Sequence, residues 1–538
     1  MIIAIAQTNF TVGDIAGNVE KIAALHKKAA AQKADLIIFS EMSITGYPPE
    51  DLVLRKGFQE EAMQAVAQLV QLTRNGPAIL AGGLWREKTS LYNTAFLIES
   101  GIVLHRQYKH NLPNYSVFDE KRTFAEGIIP GPTLWRGKKL GIMICEDMWK
   151  PEVAENLKKQ GAELLITINS SPYDVKKQEA RYANARTRIK QTGLPLIYVN
   201  QIGGQDELVF DGNSFTMSAK GEITGHLKGF EEDFFVLNYD NGVITSQNFP
   251  PPSQNDEEAT LRGMYQAMML GLRDYVRKNR FPGVLLGLSG GIDSALTAAI
   301  ATDVLGAKSV HTLMMPSVYT SKESMEDAAE CAKALGIKLD IVPISPAMLA
   351  FDEMLAPLFT GKKPDITEEN IQSRLRGNIL MAVSNKTGNL VLTTGNKSEM
   401  AVGYATLYGD MCGAFNVLKD VYKTTVYKLA HWRNKQSPVI PARIITKAPS
   451  AELKPNQTDQ DSLPPYALLD AILMRLVEDQ LSINEIATQG YDRKTVEQVA
   501  KLLYRSEYKR CQAAPGVKIT EMSFGRDRRY PLTNGWNA

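Results

Sequence analysis

Between residues 284 and 394, short and almost wholly apolar runs alternate with stretches of helical periodicity, and this restricts the fold more than any other feature of the chain. The runs Val284–Leu288, Val310–Met315, Leu339–Ile344 and Leu390–Thr394 are separated by helix-patterned segments at Ser294–Leu305, Met325–Leu335 and Glu368–Ser384. A strand that is apolar on both faces must be covered on both faces, and a parallel connection needs a crossover, so a doubly wound parallel sheet is predicted. The first half carries strand patterns at Ile2–Gln7, Leu36–Phe39, Ala78–Gly82, Ala95–Ile98, Ile102–Tyr108, Leu140–Ile144, Leu164–Ile168 and Leu196–Val199. Helices are expected over Asn18–Gln32 and Glu179–Thr192, and a hairpin from Val209–Thr216 with Ala219–Gly221. Sheets covered by helices on their outer faces follow from that order. Between the halves, residues 245–258 are rich in Pro, Asn, Gln and charge, the composition of a linker. Domains are therefore expected at 1–245 and 259–538, joined by a linker at 246–258, and 538 residues suffice for two large cores. The second opens with a helix near Glu258–Arg280 and ends in helices at Tyr466–Gln480 and Thr495–Arg510.

Composition contributes exclusions. Lys and Arg number 61 against 59 Asp and Glu, a formal charge of +2, which gives no reason to expect nucleic acid or an anionic membrane as partner. The four cysteines, Cys145, Cys331, Cys412 and Cys511, form no CxxC pair, and the six histidines show no metal-ligand spacing. That pattern argues against a disulfide framework and a zinc site, and a reducing cytoplasm is expected. No apolar run approaches the roughly 18 residues that span a bilayer, and the segment Met1-Ile-Ile-Ala-Ile-Ala-Gln7 lacks a basic leader.

The strand Val284–Leu288 runs directly into Ser289-Gly-Gly-Ile-Asp-Ser294 and then a helix. Glycines allow backbone amides to approach a polyanion, and a helix start adds free N–H groups and a positive dipole end. No lysine follows the glycines, so this is not the Walker pattern. The string resembles the SGGxDS loop of the ATP pyrophosphatase superfamily, which cradles pyrophosphate while ATP is split between its α and β phosphates. Further strings follow in order: Glu368-Glu-Asn-Ile-Gln-Ser-Arg-Leu-Arg376, Asn389-Leu-Val-Leu-Thr-Thr-Gly-Asn-Lys-Ser-Glu399, Gly403-Tyr-Ala-Thr-Leu-Tyr-Gly-Asp410, Leu418-Lys-Asp-Val-Tyr-Lys423 and Glu507-Tyr-Lys-Arg510. Singly each reads as a solvated loop or helix face; together they resemble the NAD synthetase branch. That resemblance implies ATP contacts from Gly287, Leu288, Ser289, Gly290, Gly291, Ile292, Asp293, Ser294 and Thr394, and a weaker one from Lys423. It implies deamido-NAD contacts from Asn370, Glu399 and Lys509, with Mg2+ held by Asp293 and Glu399. Arg374 could meet a phosphate or stand as an exposed helical arginine.

In the first half three chemically distinct residues each follow a predicted strand: Glu41 after Leu36–Phe39, Lys109 after Ile102–Tyr108, and Cys145 after Leu140–Ile144. Strand carboxyl ends in α/β sheets line ligand crevices. A carboxylate can take a thiol proton, a cation favours thiolate, and an ammonium can stabilise an oxyanion. The spacing resembles the Glu–Lys–Cys triad of the nitrilase, or carbon–nitrogen hydrolase, superfamily over about residues 1–245. The likeness implies an αββα sandwich, with Glu41 as general base, Lys109 as oxyanion stabiliser and Cys145 as nucleophile. It also implies glutamine contacts from Tyr115, Ser171 and Lys177, with Glu120 a candidate for the additional acid of many nitrilases.

An amide hydrolase joined to a carboxylate-adenylating domain implies that ammonia is made at one site and consumed at the other. The whole chain resembles the glutamine-dependent NAD synthetases, whose members are usually homo-oligomers. Rival readings are another glutamine-dependent ATP pyrophosphatase making GMP or asparagine, a tRNA-modifying enzyme, and a nucleotide-sensing protein. The asparagine enzyme needs an amino-terminal cysteine where this chain has Met1-Ile2. A tRNA modifier fits poorly with the charge balance, and a degenerate sensor should have lost some of Glu41, Lys109, Cys145 or Asp293.

Overall fold

The computed structural model describes residues 1–246, 249 and 256–536. The chain forms two compact units, Met1–Gln254 and Asn255–Ala538. Most of the linker expected over 246–258 lies outside the described residues. Of its flanks, Ser246 closes a strand, and Glu257 and Glu258 open a helix capped by Asp256, so regular structure reaches in from both sides.

In the first unit, β1 (Ile2–Gln7), β2 (Leu36–Ile38), β3 (Ala78–Glu87), β4 (Ser90–Glu99) and β5 (Ile102–Tyr108) belong to one sheet. A second sheet contains β6 (Thr133–Trp135), β7 (Lys138–Ile144), β8 (Leu164–Asn169) and β9 (Leu196–Asn200). β10 (Ile202–Gln205) and β11 (Leu208–Asp211) pair separately, and β12 (Phe215–Met217) and β13 (Ile223–His226) extend the second sheet. β14 (Asp233–Asp240) and β15 (Val243–Ser246) return to the first. The orders are β15-β14-β1-β2-β3-β4-β5 and β13-β12-β9-β8-β7-β6, with β1–β2–β3 and β7–β8–β9 parallel at the centres.

Period-two alternation assigns the layers. Ile3, Ile5, Leu36 and Ile38 of the first sheet bury against Ile142, Ile144, Ile166 and Ile168 of the second. The intervening Ala4, Ala6 and Ile37 pack with α1 (Ile15–Ala31) and α2 (Lys56–Leu72). Met143, Leu165 and Tyr198 pack instead with α3 (Glu146–Trp149), α4 (Pro151–Lys159) and α5 (Lys177–Thr192). The unit is an αββα sandwich. The predicted hairpin of Val209–Thr216 with Ala219–Gly221 is corrected: Gly212, at φ +66°, divides the first run, where an added Cβ would sit 2.3 Å from the Gln7 side chain. β11 pairs back to β10, while Ser218–Gly221 is the turn between β12 and β13.

The second unit begins with α6 (Glu257–Lys278), β16 (Val284–Gly287), α7 (Ile292–Leu305), β17 (Val310–Met314), α8 (Lys322–Leu335) and β18 (Lys338–Ile341). It continues through α9 (Ser345–Phe359), α10 (Ile366–Thr387), β19 (Leu390–Thr393), α11 (Lys397–Val402) and β20 (Phe415–Asn416). The sheet is wholly parallel, in the order β18-β17-β16-β19-β20. Chain order reverses between β16 and β19, and the carboxyl side of such a switch point opens a crevice. The remaining helices are α12 (Lys423–Gln436), α13 (Ala442–Thr446), α14 (Tyr466–Val477), α15 (Ile483–Thr488), α16 (Arg493–Arg505) and α17 (Glu507–Arg510). The single helix expected over Thr495–Arg510 is broken at Ser506, whose Oγ bonds back to the Leu502 carbonyl at 2.7 Å and so competes with the helix backbone. Among the described residues no helix is long and apolar enough to cross a membrane.

Candidate active sites

In the first unit, Glu41, Lys109 and Cys145 all stand just past strand ends and all are buried. The Lys109 Nζ donates to Glu41 Oε1 at 2.8 Å and to Glu120 at 2.9 Å, and none of the three side chains is appreciably exposed. Glu41 is fixed on both oxygens: Asn93 Nδ2 donates to Oε1 at 2.8 Å and the Ser170 amide to Oε2 at 2.9 Å. Tyr47 OH donates to Glu120 at 2.8 Å. Burial opposes charge on Lys109, but Glu120 and Glu41 outweigh it and hold the ammonium well above its usual range. Burial pushes Glu120 up to about 7, with Lys109 opposing and Glu41 adding to the rise.

Cys145 follows β7 at φ +47°, ψ −95°, a strained conformation for a side-chain-bearing residue. Its amide donates to the Ile168 carbonyl at 3.0 Å. Burial and then Glu41 push the thiol up, and Lys109 only partly offsets them. The resting sulfur is therefore a thiol that needs a base, rather than a standing thiolate. A fixed carboxylate and an ammonium beside it are groups capable of accepting a proton and of stabilising an oxyanion.

The expected glutamine contacts divide. Tyr115 is half exposed and donates from its hydroxyl to Glu146 Oε2 at 2.9 Å. Lys177 begins α5, its Nζ 5.1 Å from the Trp149 ring centre and within electrostatic reach of Glu146. Ser171 is buried, and its Oγ accepts from Arg181 Nε at 3.1 Å. Glu146, passed over in the sequence, thus stands between Tyr115 and Lys177, next to the thiol.

In the second unit a cavity of about 320 Å³ lies at the switch point. Every residue from Gly287 to Ser294 lines it, as do Thr394, Glu399 and Lys423. Gly290 adopts φ +83°, and a Cβ there would stand 2.3 Å from the Ser324 carbonyl oxygen, so only glycine fits. Ser289 Oγ accepts from the Gly291 amide at 3.2 Å, and Ser294 Oγ donates to the Gly291 carbonyl at 3.0 Å. These bonds shape a loop leading into the amino terminus of the fourteen-residue α7, where an anion is favoured.

On the cavity wall Lys423 Nζ contacts Asp293 and lies 3.2 Å from Glu399 Oε1. Asn396 Nδ2 donates to Asp293 Oδ1 at 2.9 Å while its own side-chain oxygen caps α11. Lys423, a weak candidate from sequence, is central. Burial opposes its charge, yet Asp293 and Glu399 hold it above the usual lysine range. Burial drives Glu399 up to about 7 against the pull of Lys423, with Asp293 and Asp459 adding to the rise. Asp459 and Arg376 also line the cavity and were not singled out from sequence.

Asn370, Lys509 and Arg374 do not line this cavity. They brace the loop beside it: Asn370 accepts from Thr406 Oγ1 at 2.9 Å, and Lys509 Nζ donates to the Gly403 and Ala405 carbonyls at 2.7 Å each. Arg374 Nε donates to the Leu407 carbonyl at 3.2 Å. Tyr404, Ala405 and Asp410 of that loop do line the cavity.

Each half of the chain matches a known family. A carbon–nitrogen hydrolase family profile matches residues 2–247 and an NAD synthase profile matches residues 264–513. The glutamine-dependent NAD(+) synthetase of Rhodobacter capsulatus is 48% identical over 548 residues, covering 99% of this chain and 98% of that protein. Its counterpart from Acinetobacter baylyi is 46% identical at the same coverage. The solved structure of the Acinetobacter baumannii enzyme in complex with ADP superposes with a TM-score of 0.80 at 44% identity, covering 99% of each chain. The chain belongs to the glutamine-dependent NAD(+) synthetases.

Proposed function

We propose that the first unit hydrolyses glutamine and the second uses the ammonia to amidate adenylated deamido-NAD, giving NAD, AMP, pyrophosphate and glutamate. The observation that carries this reading is the coexistence, in one chain, of the buried Glu41–Lys109–Cys145 cluster and the glycine-loop cavity walled by Asp293, Lys423 and Glu399. Glu41 takes the Cys145 proton as Sγ attacks the amide carbon, Lys109 donates to the oxyanion, and Glu41 returns the proton to the departing nitrogen. Water activated by Glu41 then frees glutamate from the thioester. Tyr115, Ser171 and Lys177, with Glu146, surround the amino-acid end of the substrate.

In the second unit the backbone of Gly287–Ser294 and the start of α7 receive the phosphates of ATP, with Thr394 beside them. The nicotinate carboxylate displaces pyrophosphate from the α-phosphorus, and ammonia then displaces AMP. Lys423 follows the charge on the separating phosphates. Asn370 and Lys509 act on the dinucleotide through the loop they brace. Asp293 and Glu399 fit Mg2+: they are hard oxygen donors lining one cavity, and burial, with Asp293 and Asp459 adding to it, raises Glu399. Among the described residues no group of three or more acidic, His or Cys side chains could hold a metal unaided, which suits an ion shared with phosphates and water. When bound, Mg2+ offsets charge on the phosphates.

We further infer that the protein works in the cytoplasm as a homo-oligomer. α9 has no buried residue, and Phe351, Met354 and Leu358, at i, i+3 and i+7 on one side of it, are exposed by 38%, 62% and 70%, an apolar face suited to a second copy. Leu358→Glu followed by native mass spectrometry checks that assembly. The chemistry is tested by incubating the protein with deamido-NAD, ATP, Mg2+ and glutamine: AMP and pyrophosphate are expected, and ADP with phosphate would refute adenylation.

A further inference from the structure

Two residues past the thiol, Asp147 is wholly buried and uses both carboxylate oxygens on backbone amides from two different strand ends. Oδ2 accepts from the Ile144 amide at 3.1 Å, immediately before Cys145. Oδ1 accepts from the Asn111 amide at 2.8 Å and the His110 amide at 3.2 Å, immediately after Lys109. The Lys109 backbone is itself held on its far side, donating to the Asn93 carbonyl and accepting from the Gly127 amide at 2.9 Å each. A carboxylate is the one side chain of this size that accepts on both ends; a carboxamide in the same place must turn an NH2 toward one of the amides.

We propose that Asp147 is a positioning residue that sets the separation between the Lys109 ammonium and the Cys145 sulfur. The inference rests on the glutaminase reading of the first unit. It adds that the reacting pair is registered by a third carboxylate that touches neither substrate nor sulfur. Misplacement by about 1 Å can cost a hundredfold in rate, so the clip acts on turnover rather than on glutamine affinity.

Asp147→Asn keeps the volume and severs one half of the clip. In steady-state assays of the full-length protein, kcat with glutamine should fall about a hundredfold, with the glutamine KM within about threefold of wild type. Ammonia-driven synthesis by the same sample should be unchanged, which keeps failure of this inference distinct from failure of the glutaminase reading: Cys145→Ala, run alongside, must lose glutamine use altogether. Wild-type kcat, a change confined to KM, or equal loss with both nitrogen sources in a folded sample overturns the proposal. Should the variant not fold, wild-type deuterium exchange carries the test. Burial raises Asp147 to about 6 against the pull of the Asn111 and Ile144 amide bonds, with Lys109 and His110 the charged or titratable groups acting on it. Opening returns Asp147 toward the ordinary carboxylate range, so raising pH through 6 should lower protection over 107–112 and 143–148 together, after correction for intrinsic exchange, and protection lost independently in the two segments contradicts the clip.

Discussion

Replacing Lys109 with Met removes one positive charge from between two buried carboxylates while nearly keeping its length. Breaking a buried ion pair by deleting one partner costs about 3–5 kcal/mol, because the remaining charge is stranded. Here Glu120 offers an escape. It already sits near 7 with the ammonium lowering it, so without Lys109 it takes up a proton, and the cost at pH 6 falls to the low end of that range. The escape closes as pH rises. A carboxyl whose folded value lies above its unfolded value of roughly 4.3 binds more protons folded than unfolded, so stability declines as pH climbs through the folded value. Each further unit of rise costs about 1.4 kcal/mol once pH has passed it, or roughly 3–6 °C in a unit of this size. Calorimetry of wild type and Lys109→Met at pH 6 and pH 8 should therefore show a deficit at both, wider at pH 8. The same variant should lose about a hundredfold or more with glutamine through the missing oxyanion donor and keep its ammonia-driven rate. A deficit that is constant or narrower at pH 8 would refute the account of Glu120 as the proton-accepting member of the cluster.

Cys145→Ala should abolish glutamine-driven synthesis by several orders of magnitude while ammonia-driven synthesis continues, assayed side by side with a thermal melt. Asp293→Ala should remove synthesis with either nitrogen source while the glutaminase unit stays folded and hydrolyses glutamine; an unchanged Mg2+ requirement and rate would remove Asp293 from the phosphate site. Gly290→Ala forces a Cβ to within 2.3 Å of the Ser324 oxygen at φ +83°. It should abolish ATP–pyrophosphate exchange, and retained exchange would show that the loop can rebuild.

Most strands could be read directly because the sheets are buried on both faces, so their apolar runs stand out. Glu41 and Cys145 each follow such a run, where α/β sheets gather their chemistry; Lys109 instead follows β5, an edge strand whose residues are mostly exposed or half-buried. Residues supplied by short or irregular segments were not legible in this way. Asp459 reaches its cavity from a 3-10 turn, Asp459–Asp461, between α13 and α14, too short for any periodicity to mark it. Arg376 sits within a helix string already noted, but only the turn of α10 decides that it, rather than Arg374, lines the cavity. Asn370 and Lys509 illustrate the converse. Their motifs were visible, yet their side chains act on a loop rather than on the cavity wall. The misread hairpin at Val209–Thr216 depended on Gly212 and the Gln7 side chain, a contact across more than two hundred residues.

Nitrogen transfer within one purified chain is tested most directly with glutamine labelled with 15N in its side-chain amide. With deamido-NAD, ATP and Mg2+, the account predicts 15N in the carboxamide of NAD, with one AMP, one pyrophosphate and one glutamate for each labelled NAD. Omitting ammonium salt should not reduce the label, and Cys145→Ala should carry none. Labelled NAD made by the alanine variant, or unlabelled NAD made by the wild type with glutamine as sole nitrogen source, would contradict it.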